Sequence, residues 1–235
     1  MTASGHLAPH ALASFELFRD LSPAALDDVM SSARVRRLAG NTPIFDQGDA
    51  EVRAHVLIEG NVRISQSGSD GAEIVIRFIA PGEMFGTVAL FTDGTYPADA
   101  VTLTESLEVS WSETELFELI RRHSPIAINV IRVIGKRLQE VQNRLREVST
   151  QRVEQRVARA LLRLVRQAGH RTTDGMAIEI PLRRKDVADI SGTTLHSASR
   201  ILTAWEKAGL LVSRNQRLTV RKPSEIQRIA DDSTP

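Results

Sequence analysis

His196, Ser199, Arg200 and Thr203 follow one another at spacings of three, one and three residues, which on an α-helix projects all four from one side. Their groups are an imidazole, two hydroxyls and a guanidinium, a set that donates and accepts hydrogen bonds without pairing a nucleophile to a base. Arg200 can donate two bonds to the O6 and N7 of guanine, and a good bidentate pair contributes about 1–3 kcal/mol of discrimination between bases. His196 and Ser199 can donate or accept. Ser197 on the same stretch, with Arg184, Arg214 and Arg217 around it, suits phosphate oxygens, which fix orientation without reading sequence. The chemistry on offer is recognition of a duplex, with His196, Ser199, Arg200 and Thr203 at base edges.

Such side chains need a rigid helix with a sharp turn before it. The stretch RRKDVADISGTTLHSASRILTAWEKAGLL reads as a first helix over 185–190, a turn at Ser191-Gly192-Thr193, and a second helix over 194–207 stopped by Gly209. Leu195, Ala198, Leu202 and Trp205 are expected on its inward face. LLVSRNQRLTVRK then reads as a hairpin, or wing. A helical hairpin whose outer face is merely solvated is the plainer alternative. Charge weighs against it: residues 151–235 carry 16 Lys+Arg against 9 Asp+Glu, whereas residues 1–150 carry 14 against 20. A basic domain favours a polyanion, whose counterions are released on binding. The preceding amphipathic run, 153–167, has Arg152, Arg156, Arg159, Arg163 and Arg166 on its outer stripe, which solvation explains more economically than DNA contact.

The whole chain of 235 residues is 42% apolar and 25% charged, the balance of a soluble globular protein with room for two modest domains. No apolar run nears the ~20 residues of a membrane helix, and MTASGHLAPH lacks the parts of a secretion signal, so a cytoplasmic protein without membrane contact is expected. Ser22 followed by Pro23 starts a short helix. Short β-rich runs at 43–45, 55–58, 62–65, 73–78, 100–103 and 107–111, separated by glycines, predict an antiparallel jelly roll. After Pro125, the residues Ala127, Ile131, Ile134, Leu138, Val141, Leu145 and Val148 are spaced 4, 3, 4, 3, 4, 3 between polar flanks. This a/d seam predicts self-association, the alternative being a helix that packs its stripe on its own roll. The fold class expected is α+β: an effector-sensing β-roll over 1–123, a dimerisation helix over 124–150 and a winged helix-turn-helix over 151–235.

A roll carrying HVLIEGNVRI and PGEMFGTVALF, then the seam helix, then GTTLHSASRILTAWEKAGLL: in this order the chain resembles the Crp/Fnr superfamily of bacterial transcription regulators over nearly its whole length. Ser199 and Arg200 match the Ser and Arg of that family's helix-turn-helix, and TTLHSASR is most similar to the NnrR-type branch, regulators of denitrification genes responsive to nitric oxide or nitrogen oxides. The resemblance implies a homodimer on palindromic double-stranded DNA, with recognition helices in major grooves one helical turn (~34 Å) apart. It also implies an effector sensed in the cyclic-nucleotide-binding-like roll and relayed through the dimer helix, and RNA polymerase as the partner of an activator. A regulator of a cyclic nucleotide or another small ligand, and a constitutively DNA-competent regulator without effector, stay open.

The resemblance places the effector pocket at Gly86, Thr87, Val88, Pro97 and Ala98. Cyclic-nucleotide-binding members carry there an acidic residue for the ribose and an Arg-Ser or Arg-Thr pair for the phosphate. Thr87, Pro97 and Ala98 stand in those places, so cyclic AMP is not expected, because a buried unpaired charge costs many kcal/mol. The absence of cysteine excludes an all-cysteine iron–sulfur cluster. Haem is a candidate cofactor through nitric-oxide sensing, with His6, His10, His55 and His123 as candidate axial ligands; none lies in a recognisable haem motif, and a single histidine is more often a surface or satisfied residue. With no phosphate-binding glycine loop, metal-ligand cluster or Ser-His-Asp set, no catalysis is expected.

Overall fold

The computed structural model describes residues 9–232, with side chains described from Leu12. The chain is α+β and divides into two compact units, residues up to 72 with 78–140, and residues 73–77 with 141 onward.

In the first unit, two short 3-10 turns precede α1 (Pro23–Ser31). Ser22 caps it, its Oγ accepting from the Ala25 N–H at 3.2 Å, and Pro23 takes the first helical position, where a missing N–H is harmless. Eight strands follow: β1 (Arg34–Leu38), β2 (Pro43–Phe45), β3 (Arg53–Glu59), β4 (Val62–Ser67), β5 (Glu73–Ile79), β6 (Met84–Phe85), β7 (Asp99–Thr102) and β8 (Ser106–Ser112). They form two sheets, ordered β1-β8-β3-β6 and β2-β7-β4-β5. This is the expected roll, with two strands, β1 and β6, that the pattern did not announce. The roll's inner core is built from Phe45, Leu57, Val62, Ile79, Phe85, Tyr96 and Ala100. A second core under the helices joins Leu26, Val29, Val109, Trp111, Leu116 and Leu119, with the Trp111 indole donating to the Val29 carbonyl at 2.9 Å. Ser112 opens α2 (Glu113–Arg122) through a capping box with Glu115.

Helix α3 (Ser124–Thr150) has two apolar faces with different fates. Ile126 and Val130 are buried in the second core, and the Asn129 amide donates to the carbonyls of Leu17 and Arg19 at 3.1 and 2.8 Å. The other row, Ile128, Ile131, Ile134, Leu138, Val141, Leu145 and Val148, is 43–67% exposed. The seam therefore is not shielded within its own chain. Its first member differs from expectation: Ala127 is half-buried and Ile128 takes the exposed place.

The second unit contains α4 (Val153–Ala168), β9 (Gly169–Thr172), β10 (Gly175–Ile178), α5 (Arg184–Ser191), α6 (Leu195–Lys207), β11 (Leu211–Arg214), β12 (Arg217–Val220) and α7 (Pro223–Asp231). Its sheet is ordered β11-β12-β10-β9. Val157, Ala160, Leu161 and Leu164 bury the inner face of α4. Four of the five arginines on the stripe of that helix are bonded within the unit. Arg156 donates to the carbonyls of Ser191 and Gly192 at 3.1 and 3.0 Å, and Arg159 to that of Ala230 at 2.8 Å. Arg163 reaches both oxygens of the buried Glu147 at 3.0 and 2.8 Å, and Arg152 pairs with Asp232. The bonds from Arg156 and Arg159 satisfy helix-end carbonyls that would otherwise lack donors.

Candidate nucleic-acid interface

The turn before α6 is set by glycine. Gly192 sits at φ 63°, a left-handed conformation that other residues resist, and the Thr193 N–H returns to the Ala188 carbonyl at 3.0 Å. Thr194 caps α6, its Oγ1 accepting from the Ser197 N–H at 3.2 Å. On the inward side Ala198, Leu202 and Trp205 are buried, and the Trp205 indole donates to Glu154 at 3.0 Å, which fixes the helix about its own axis. On the outward side His196 and Arg200 are exposed, and Ser199 and Thr203 are half-buried.

Three of the singled-out residues have contacts or an exposure that the sequence pattern does not announce. Arg184, expected on phosphate, is bound to α6 itself: Nη1 donates to the Ser199 carbonyl and Oγ at 2.8 and 3.3 Å and to Thr203 Oγ1 at 3.0 Å, and Nη2 pairs with Glu206 at 2.9 Å. It positions two of the candidate base readers. Glu206, its counter-charge, was not among the residues singled out from the sequence, since nothing local links positions so far apart. Ser197, also expected on phosphate, is engaged in the cap, where its Oγ accepts from Thr194 Oγ1 at 3.1 Å. Leu195, expected on the inward face, is 51% exposed.

Arg214 and Arg217 are exposed and stand opposite each other across the β11–β12 hairpin. The two-residue turn between them has Asn215 and Gln216 at φ 49° and 63°, the conformation that matches strand twist in a tight hairpin. Like charges directly opposite are mildly destabilising, so the pair suits a site completed by an anion. The wing tip is tied to the segment entering α5 by the Leu182 N–H donating to the Gln216 carbonyl at 2.7 Å.

The sequence model of the cyclic nucleotide-binding domain matches residues 35–123, and that of the Crp-like helix-turn-helix domain matches residues 155–229. The chain belongs to the Crp/Fnr family of DNA-binding transcription regulators. It is 29% identical over 214 residues to the cyclic AMP receptor protein of Thermus thermophilus, covering 91% of this chain and 96% of that protein. It is 27% identical over 189 residues to the nitrogen fixation regulation protein FixK of Rhizobium meliloti, covering 80% and 83%. The structure of FixK2 from Bradyrhizobium japonicum shares its fold, with a TM-score of 0.73 at 19% identity over 86% of this chain and 99% of that one.

The roll of this Crp/Fnr regulator holds a buried polar cluster at its centre. His55 is 2% exposed, with Nδ1 2.6 Å from Glu108 Oε2 and Nε2 3.0 Å from the Tyr96 hydroxyl. Arg36 donates to the other Glu108 oxygen, and the Tyr96 hydroxyl accepts from the Arg53 N–H at 2.7 Å. Burial pushes the His55 pKa down, against the pull of Glu108. Burial raises the Glu108 carboxyl, but the His55 hydrogen bond and Arg36 outweigh it and hold the group below the usual carboxylate range. At neutral pH Glu108 is ionised and His55 is neutral, assigned as donating from Nδ1 to Glu108 and accepting at Nε2 from Tyr96. The Tyr96 phenol is pushed up to about 12 by burial and stays protonated. Its ring stacks on Phe45 at 3.6 Å and 3°. Gly86, at φ 76°, lies so close that a Cβ would come within 2.8 Å of His55 Cδ2.

These facts bear on the expected effector residues. Gly86 abuts His55 and Thr87 is buried, but Val88, expected to line the pocket, is 58% exposed, Pro97 is also exposed, and Ala98 is half-buried. Pro97 and Ala98 present neither a cation nor a hydroxyl for a phosphate, so these positions do not fit a cyclic nucleotide. Haem fits no better at His55, whose two ring nitrogens are both engaged, whereas at His123 the contact shown is to Nε2 alone, 2.7 Å from Asp28. His6 and the side chain of His10 lie outside the described residues. Among the described residues no group of three His, Asp or Glu side chains could hold a metal ion, and no helix is long and apolar enough to cross a membrane.

Proposed function

We propose that this regulator works as a homodimer on a palindromic duplex, each α6 lying in a major groove and the two chains joined along the exposed row of α3. The row itself carries the reading. Seven large apolar side chains on one helix, the last six at heptad spacing, expose more contiguous apolar surface than a monomer tolerates, and a second copy of the same helix buries it with matching register. Arg200 then donates to guanine, His196, Ser199 and Thr203 reach neighbouring base edges, and Arg214 and Arg217 bind phosphates. RNA polymerase is the further partner, and the cytoplasm the place of action. Sedimentation of the full chain, with gel retardation on duplexes selected from a random pool, tests this: a dimer selecting an inverted repeat is expected, and a monomer selecting single half-sites overturns it.

For control, an effector bound in the roll would bias α3 and so the spacing of the recognition helices, with a coupling of about 1–3 kcal/mol between the two sites. The resemblance of TTLHSASR to the NnrR-type branch supports nitrogen oxides as the signal. Operator affinity with and without nitric oxide, and the absorption spectrum of protein purified from cells, test it; unchanged affinity and no Soret band count against it. One observation favours a regulator without effector: the Phe45, Tyr96, Phe85 and His55 rings fill the roll beside Gly86 with the chain's own atoms. Operator affinity that is identical before and after ligand extraction selects that reading.

A further inference from the structure

The half-buried Arg156 guanidinium, on α4, meets the carboxyl ends of two other helices. Nη1 donates to the Val148 and Gln151 carbonyls at 3.1 and 3.4 Å, at and just past the end of α3. Nε and Nη2 donate to the Ser191 and Gly192 carbonyls at 3.1 and 3.0 Å, at the end of α5. The last carbonyls of a helix lack partners within it and carry a partial negative charge, so one cation between two such ends offsets both. The two ends also touch directly. A Cβ on Gly192 would come within 2.9 Å of Val148 Cγ2, and Val148 is the last residue of the exposed α3 row. Gly192 opens the turn into α6, whose cap Thr194 lies two residues on. Arg163, bonded to Glu147, holds α4 itself to α3. The pairing row and the start of the recognition helix are thus joined by one guanidinium and one close contact.

We propose that Arg156 is a positioning residue for DNA recognition: it fixes α6 against the paired end of α3 and thereby sets the half-site separation that the dimer accepts. This rests on the dimer and major-groove reading above and names the residue that turns helix pairing into a fixed spacing. The bonds of Arg156 are made to carbonyls of its own chain, so the role calls for no contact with DNA. Two recognition helices anchored in this way discriminate by spacing, since each added base pair moves the second half-site ~3.4 Å along the duplex and turns it by about 35°.

The test uses the full-length protein and the inverted repeat it selects from a random pool, with the spacer between half-sites lengthened or shortened by one base pair. The wild type should lose at least about tenfold in affinity for either altered spacer, as much as the loss of one bidentate base contact. Arg156→Ala should bind all three spacers within about threefold of one another, while keeping the wild-type base preference inside each half-site. Arg156→Lys keeps a cation near the helix ends but replaces the planar fork with one ammonium, so it should fold and still relax the spacing preference. Arg159→Ala is the structural control. It too removes a bond from α4 to a helix-end carbonyl, that of Ala230 on α7 rather than one at the turn, so it should lower the melting temperature without altering spacing. A spacing preference that survives in either Arg156 variant overturns the assignment, as does its equal loss in Arg159→Ala. A wild-type dimer indifferent to the spacer overturns it as well. A chain that selects single half-sites, or retards no duplex, overturns instead the reading on which the assignment rests, so the failures are distinct.

Discussion

The centre of the roll and the outer face of α6 use the same kinds of side chain to opposite ends. His55, Glu108, Tyr96 and Arg36 are bonded to one another, and the histidine and carboxylate at the heart of the cluster are buried. His196 and Arg200 are held only by the helix beneath them and face solvent, while Arg184 steadies Ser199 and Thr203 from the side. A polar group whose bonds are all made within the fold can specify only that fold. One whose backbone is rigid but whose donors are unspent can specify something else. The comparison separates histidines that composition treats alike: His55 is part of the scaffold, and His196 faces solvent on the proposed interface.

The largest effect should follow from breaking the saturated cluster. Glu108→Ala leaves Arg36 and the His55 N–H facing a hole of low polarity, and removing one partner of a buried pair typically costs about 3–5 kcal/mol. The urea midpoint of the roll's unfolding should fall accordingly, and a change under about 1 kcal/mol would place the pair with surface ion pairs. The same cluster sets the response to pH. Both His55 and Glu108 have folded-state pKa values below their ordinary ones, 6.5 and 4.5, so below those values the unfolded chain binds more protons. Their stabilisation is therefore complete above about pH 6.5 and is lost as pH falls, first through His55 and then through Glu108. In His55→Gln the first part of that acid slope should vanish; an unchanged slope between about pH 5 and 6.5 would assign it elsewhere.

Next in size is the seam. Leu138→Asp puts a charge at an exposed apolar position, so the folded monomer should be almost unaffected while the dimer is deprived of two buried leucines. At about 1.5–3 kcal/mol each, the dissociation constant should rise at least a hundredfold, read by sedimentation. The matching change on the other face of α3, Val130→Asp, should lower the melting temperature instead, because that residue lies in the second core. If the two variants behaved alike, the division of α3 into a structural and a pairing face would be wrong.

Legibility in the sequence follows the same divide between local and distant causes. The Ser22 cap, the glycine turn at Gly192, the heptad row and the buried Ala198, Leu202 and Trp205 all obey a short period and are readable from it. Strand β1 is not: RVRRL runs along a sheet edge, paired on one side to β8, and its burial pattern follows no simple alternation. The Glu108 cluster joins β1, β3, β8 and the turn at Tyr96, so no spacing encodes it. One signal is nevertheless present, since a single carboxylate in SLEVSW, a run buried on both faces, has to find a cation or a donor. Leu195 fits the inward period of α6, and only its exposure shows that the helix's first turn extends beyond its support. Arg184 escapes a local reading because a cation at a helix start looks available until its partner Glu206, from another helix, is known.

The smallest effects distinguish residues within the interface. Arg200→Ala should weaken binding to the selected operator by about 1–3 kcal/mol and to unrelated duplexes by little, relaxing preference at one base pair per half-site. Arg217→Ala should weaken all duplexes by a similar, smaller factor and reduce the slope of log affinity against log salt by about 1 for each phosphate that is no longer neutralised. Arg184→Ala separates these from positioning. Because Arg184 touches no phosphate in this reading, its removal should leave the salt slope unchanged, yet broaden base preference as Ser199 and Thr203 go without lateral support. Arg184→Lys, which cannot span these four acceptors with one planar fork, should restore the charge but not the selectivity. A salt slope that falls in Arg184→Ala as it does in Arg217→Ala would move Arg184 to the phosphate backbone, and its bonds to α6 would then describe only the DNA-free state.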